Sequence, residues 1–175
     1  MSDADPFEAF VVRHQDLVFA TAVRLLGNRR DAEDIAQNVF LKAYQHFGEI
    51  AGHPGAAAWL KTVTTNDCLN YLSRYRSRWR FFSELGRQDS EGEHVEYEMT
   101  LATDTTPADA LERVDRRRQI AAALLQLPPH QRVPLVLFHF DQMSYQDIAT
   151  RLGVTLAKIK SDIHRGREVL AKLLG

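Results

Sequence analysis

The sequence predicts an all-α fold of two small helical domains, residues 1–82 and 108–175, joined by a flexible acidic linker over 83–107. Three observations carry that expectation. Apolar residues recur at three- and four-residue steps through both halves, the spacing that lines one face of a helix. No convincing alternation of apolar and polar residues marks a strand. From Ser83 to Pro107 the periodicity lapses, and Glu84, Asp89, Glu91, Glu93, Glu96, Glu98 and Asp104 stand against Arg87 alone, a composition that reads as a linker.

The elements follow in order. Phe7, Phe10, Val11, Leu17, Val18, Ala22 and Leu25 set out a first helix that ends near Gly27. Asn28 is placed to cap a second, with Asp31 in its first turn, where an acid complements the helix dipole. Ile35, Val39, Ala43 and Phe47 continue one face, and Gly48 to Gly52 breaks it. Pro54 suits a first helical position. The stretch after Gly55 to about Arg80 contains neither Pro nor Gly, so it reads as one long helix or two abutting ones. Beyond the linker, Pro107-Ala108-Asp109 opens a helix whose apolar set is Leu111, Val114, Ile120, Ala121, Leu124 and Leu125, closed by Pro128-Pro129. The apolar run Val133 to Phe140 is assigned to a short helix from Pro129 because of its Pro start and helical surroundings.

At 175 residues the chain is one medium domain or two small ones, which excludes a large multidomain enzyme. Lys plus Arg number 22 against 23 Asp plus Glu, so the formal charge of -1 names no partner. The distribution says more. Arg74, Arg76, Arg78 and Arg80 alternate within seven residues, and Lys158, Lys160, His164, Arg165 and Arg167 crowd the last helix. Two basic segments flanking an acidic one suit a phosphate-binding protein, because affinity depends on local cations displacing condensed counterions. Two solvated helix faces would look the same. A single cysteine, Cys68, fits a reducing compartment. The start Met1-Ser2-Asp3-Ala4-Asp5-Pro6 lacks the basic and apolar runs of a secretory signal, and no uncharged apolar stretch nears the roughly 20 residues of a membrane span. A cytoplasmic protein without membrane insertion is expected.

Ser144-Tyr145-Gln146-Asp147 resembles a capping box, and Ile148, Ala149 and Leu152 form the inner face of the helix it starts. Gly153-Val154-Thr155 makes a three-residue turn, where Gly takes a positive φ and Thr155 caps the next helix. That helix carries Ile159, Ile163 and Leu170 inward. The pattern is that of a DNA-binding helix-turn-helix, whose second helix enters the major groove. Its outward positions would be Thr155, Ala157, Lys158, Ser161, Asp162 and Arg165, types able to address base edges or phosphates. An ordinary antiparallel helix pair is the alternative.

Two separate blocks then resemble one family. The run Asp31-Ala32-Glu33-Asp34-Ile35-Ala36-Gln37-Asn38-Val39-Phe40, followed by Trp59-Leu60-Lys61-Thr62-Val63-Thr64-Thr65-Asn66, is similar to the second conserved region of the extracytoplasmic-function (ECF) sigma factors, promoter-recognition subunits of bacterial RNA polymerase. Leu127-Pro128-Pro129-His130-Gln131-Arg132, with Met143 to Ala149 and Leu152-Gly153-Val154, is similar to their fourth region. The resemblance implies a region 2 bundle and a region 4 helix-turn-helix. It also implies core polymerase, promoter DNA and an anti-sigma factor that packs the two domains together as partners.

By this resemblance Asp31, Asp34, Gln37, Asn38 and Phe40 bind core polymerase; their acids suit a protein partner better than phosphates. An acidic first turn complementing the helix dipole accounts equally well for Asp31 and Asp34. The minus-ten element would be opened and held by Gly48, Glu49, Ile50, His53, Asn66, Asn70, Tyr71, Arg74, Tyr75, Arg76 and Arg78, since an unstacked base needs aromatic or amide groups and its backbone needs cations. Trp59 is assigned to the core in preference to a stacking platform, and Asn70 departs from an acid often found there. The minus-thirty-five duplex would be read by Ser144, Thr155, Ala157, Lys158, Lys160, Ser161, Asp162 and Arg165. Asp162 replaces an expected cation, so either weakened binding or altered base preference follows. The linker acids would either mimic nucleic acid inside the polymerase or act as a soluble spacer.

None of the seven histidines forms a compact metal spacing, and no G-x-x-x-x-G-K-[ST] or G-x-S-x-G motif is present. No catalysis, metal or cofactor is expected. The alternative to a promoter-directing sigma factor is a sigma-like adaptor that has lost promoter binding, with Asp162 as its best evidence.

Overall fold

The structure, a computed structural model, describes residues 5–73 and 107–175. The acidic stretch and the expected basic extension with Arg74, Tyr75, Arg76, Arg78 and Arg80 lie outside the described residues. Eight helices are found among those described: α1 (Pro6–Leu26), α2 (Arg29–Gln45), α3 (Phe47–Ile50), α4 (Ala56–Ser73), α5 (Pro107–Gln126), α6 (Pro129–His139), α7 (Tyr145–Leu152) and α8 (Leu156–Leu174). No strand occurs among the described residues.

The first two helices start where short polar side chains satisfy the first backbone N–H groups. Asp5 accepts from the Phe7 amide ahead of Pro6, and Asn28 accepts from the Asp31 amide at 3.2 Å. Helix α1 ends at Gly27, whose φ of 66° directs its N–H to the Val23 carbonyl at 2.8 Å. Two expectations need correction. Phe47–Ile50 forms a short helix where a break was expected, and its apolar ends Phe47 and Ile50 fold onto the core. The fourth helix starts at Ala56, two residues past Pro54.

Helix α1 is the spine of the amino-terminal group and packs against α2 and α4. Val18, Ala22 and Leu25 of α1 meet Ala32, Val39 and Ala43 of α2 and Leu60 and Cys68 of α4, all without exposed surface. In the carboxy-terminal group Val133 and Leu137 of α6 pack with Ile148, Ile159 and Ile163. Burying each Leu or Ile of this kind contributes about 1.5–3 kcal/mol. The two groups also touch, because α1 packs on α6. At that seam the Arg132 side chain, 4% exposed, donates to the Leu127 carbonyl at 2.9 Å and reaches the Leu25 carbonyl at 3.5 Å. Its charge thus faces the carbonyl ends of α1 and α5, the negative ends of both helix dipoles.

Cys68 belongs to the core. Burial, with Asp67 and Asp141 adding to it, pushes its thiol up to about 12, so the thiol is neutral and inert at physiological pH. Among the described residues no helix is long and apolar enough to cross a membrane, and no cluster of His, Cys, Asp and Glu can hold a metal ion.

Candidate nucleic-acid interface

The last two helices form a helix-turn-helix with a cap at each joint. Ser144 Oγ accepts from the Asp147 amide at 3.1 Å. Gly153 adopts φ 67°, while the Val154 amide donates to Ala149 O at 3.0 Å and the Gly153 amide to Thr150 O at 3.3 Å. This crossed pair of bonds reverses the chain within one turn. Thr155 Oγ1 then accepts from the Lys158 amide at 3.2 Å and starts α8. Ile159 and Ile163 point inward, leaving Thr155, Ala157, Lys160 and Ser161 exposed along the outer face, with Lys158 and Arg165 half-buried beside them.

Asp162 is the correction. Expected on that outer face, it is 5% exposed, and its carboxylate is taken up by the Lys158 ammonium one turn earlier. Burial raises its pKa, and the bond to Lys158 opposes the rise. In the helical register Asp162 shares a side with Lys158 and adjoins the buried Ile163, so its carboxylate turns inward from the exposed outer face. Lys160 is left as the exposed cation on this face.

Two histidines on α6 respond to the same packing. Burial lowers the pKa of His130, with Lys158 and Arg165 adding to it and Asp162 opposing, and burial with Arg167 lowers that of His139. Folded-state values below the unfolded 6.5 mean that their stabilising contribution is complete above pH 6.5 and is lost as pH falls through the folded values. Asp162, shifted the other way, regains some stability only below its own raised pKa. The expected result is a melting temperature that falls between pH 7.5 and 5.5. Circular dichroism of the His130→Gln, His139→Gln double variant should show a flatter profile, and an unchanged slope would refute the assignment.

The expected minus-ten residues separate into two kinds. Asn66 and Asn70 are one helical turn apart on α4, both exposed, with Tyr71 half-buried beside them. Gly48, Glu49 and His53 are exposed around α3, and His53 Nδ1 accepts from the Gly55 amide at 2.9 Å. Ile50 is corrected: it is 7% exposed and anchors the loop from beneath. Trp59 packs against the core, edge-on to His46. Lys42 of α2 pairs with Asp67 of α4 at 2.6 Å, fixing α4 against α2. Arg74, Tyr75, Arg76 and Arg78 lie outside the described residues.

On α2, Asp34, Gln37 and Asn38 are exposed, and Asp31 and Phe40 are half-buried. Gln37 and Phe40 line an open groove of about 990 Å³ between α1 and α2, completed mainly by Phe7, Val11, Phe19 and Leu41. Tyr44, edge-on to Phe7 with centroids 5.0 Å apart, also lines it. Leu41 and Tyr44 escaped the sequence reading. Their signal was available, since both are large and apolar yet fall out of step with the buried series Ala32, Ile35, Val39 and Ala43.

Comparison with known proteins places both groups of helices. Residues 10–80 match the model for sigma-70 region 2, and residues 117–170 that for sigma-70 region 4. The ECF RNA polymerase sigma factor SigW of Bacillus subtilis is 30% identical over 98% of this chain and 90% of its own length. The RNA polymerase sigma-H factor of Pseudomonas aeruginosa is 30% identical over 98% and 88%. The ECF sigma factor SigE of Mycolicibacterium smegmatis is 33% identical over 96% of this chain, which spans 61% of that relative. A solved chain, the sigma factor RpoE in complex with the anti-sigma factor NepR from Bartonella quintana, is 24% identical with a TM-score of 0.47 over 96% of each chain.

Proposed function

Because the chain belongs to the ECF sigma-factor family of bacterial RNA polymerase, we propose that it binds core polymerase in the cytoplasm, directs it to particular promoters, and assists strand separation without bond chemistry of its own. The single observation that carries this reading is the capped helix-turn-helix with Thr155, Ala157, Lys160 and Ser161 exposed on one face of α8. In this reading residues 1–82 form the region 2 domain, 83–107 the linker and 108–175 the region 4 domain.

Each surface has a task. The α2 face with Asp31, Asp34, Gln37, Asn38 and Phe40 docks on the polymerase, and the adjoining groove supplies apolar area that binding can bury. Asn66, Asn70 and Tyr71, with Gly48, Glu49 and His53 nearby, receive the minus-ten strand. On the duplex, α8 enters the major groove at the minus-thirty-five element, Lys160 meeting phosphate and Thr155, Ala157 and Ser161 facing bases. An anti-sigma partner belongs to the same reading. The adaptor alternative loses its best support, because the Asp162 carboxylate lies inward, paired with Lys158.

The test is transcription from fragments of the native genome with purified core polymerase and this protein. Specific start sites should appear only when it is present, and Lys160→Glu should cut their yield by about tenfold while core binding stays intact, as expected when one phosphate contact becomes a repulsion. Tight core binding with no specific transcripts would establish the adaptor instead.

A further inference from the structure

Lys158 sits where the buried and exposed sides of α8 meet. At about 100° per residue its position lies about 60° from Ser161, on the exposed face, and about 40° from Asp162, toward the core. Its side chain keeps 21% of its surface in water, and that of Asp162 keeps 7%. The ammonium donates to Asp162 Oδ2 one turn further along the helix, a spacing at which two side chains lie one above the other. Lys158 is therefore a cation at the edge of the proposed reading face, drawn back along its own helix toward the core.

Burial decides which partner keeps it. The Asp162 carboxylate also lies in the fields of His130 of α6 and of Arg165, and at 5% exposure it cannot follow Lys158 outward. A phosphate beyond the helix would claim the ammonium only by leaving that carboxylate short of a partner out of water. Stranding a buried charge in this way costs more than one surface ion pair returns. Lys160 is under no such constraint, since it is exposed on the outer face.

We propose that Asp162 is a positioning residue that withholds Lys158 from the DNA backbone, so that α8 holds its duplex with one phosphate contact fewer and depends correspondingly more on Thr155, Ala157 and Ser161 facing the bases. The inference rests on the promoter-binding reading above and adds to it a limit on sequence-independent affinity. A phosphate contact carries no sequence information. The carboxylate at 162 therefore weakens binding to every duplex by the same factor and leaves base preference unaltered.

The test uses the full chain assembled with core polymerase, on a duplex fragment carrying a start site mapped as above and on the same fragment with its minus-thirty-five segment scrambled. Asp162→Asn should tighten binding to both by about three- to tenfold at about 0.15 M salt, and should steepen the fall of log affinity with log salt by about one, as expected for one further phosphate neutralised. In the wild-type background Lys158→Gln, which can still donate to Asp162, should leave affinity within about twofold; added to Asp162→Asn it should erase the gain, a non-additivity that a merely structural role would not produce. Circular dichroism verifies helix content in each variant, and Asp162→Ala stands in should Asp162→Asn fail to fold. An unchanged salt slope in the Asp162 variant overturns the inference. A gain that survives Lys158→Gln also overturns it, because the acid would then act by its own repulsion. So does a tenfold loss from Lys158→Gln alone, which would place the lysine on phosphate already, and so does a gain confined to one of the two fragments. If no form of the protein, wild type included, yields a specific start site, the promoter reading fails and takes this inference with it.

Discussion

Replacing Gly27 by alanine is expected to lower the free energy of unfolding by about 2–4 kcal/mol, from a left-handed backbone penalty of about 1–2 kcal/mol and the displacement of a buried cation. A Cβ at this position would lie 2.5 Å from the Arg132 guanidinium carbon. The guanidinium ends a flexible side chain, yet it has little room to withdraw, because it is buried and bonded to the Leu127 carbonyl. Moving it would leave a desolvated charge short of partners. At about 2–4 °C per kcal/mol for a chain of this length, melting should fall by roughly 4–16 °C. Arg132→Met supplies the decisive comparison, since methionine fills much of the same space without the branched charged end. In that background Gly27→Ala should cost only the backbone penalty, a non-additivity of about 1–2 kcal/mol. Additive losses would show that the two residues do not meet in solution.

The second large effect is expected on polymerase binding. Leu41 and Tyr44 are 63% and 64% exposed on α2, at the edge of the groove with Phe40. Large apolar groups held in water at the rim of a concave surface are the type that anchors protein interfaces. Leu41→Glu should weaken the affinity for core polymerase at least tenfold, about 1.4 kcal/mol or more, and Tyr44→Ala should act in the same direction. Neither should change helix content, and Leu41→Glu should leave the melting temperature within a degree or two, because the side chain contributes little to the core. Lys172→Glu, at the far end of α8, serves as the control. Equal affinity for all three variants would move the docking surface away from this groove.

Much of the fold was legible from local chemistry. Asn28, Ser144 and Thr155 each accept the bond expected of a helix cap, Gly153 takes the positive φ its turn suggested, the first helix ends at Gly27 as placed, and Ile159 and Ile163 are buried as spaced. These features depend on residues within a few positions of one another, which is what periodicity and capping rules register. What escaped was of longer range. Whether the carboxylate at 162 faces solvent depends on how α8 sits against α6, and a residue one step from the buried stripe can fall on either side. Ile50 was assigned by analogy of position, although its apolar side chain already suited the core better than DNA. The contact of Arg132 with the carbonyl end of α1, and of Asp141 with Thr65, joins residues 76 or more apart in sequence. No pattern of spacing announces such a meeting.

A final consequence follows from the state of Cys68. The chain has no other sulfhydryl, and this one is protonated and enclosed, so peroxide or disulfide stress finds nothing on the folded protein to modify at cysteine. If genes under its control respond to oxidants through thiol chemistry, the sensor has to be another molecule, and this protein transmits a decision taken elsewhere.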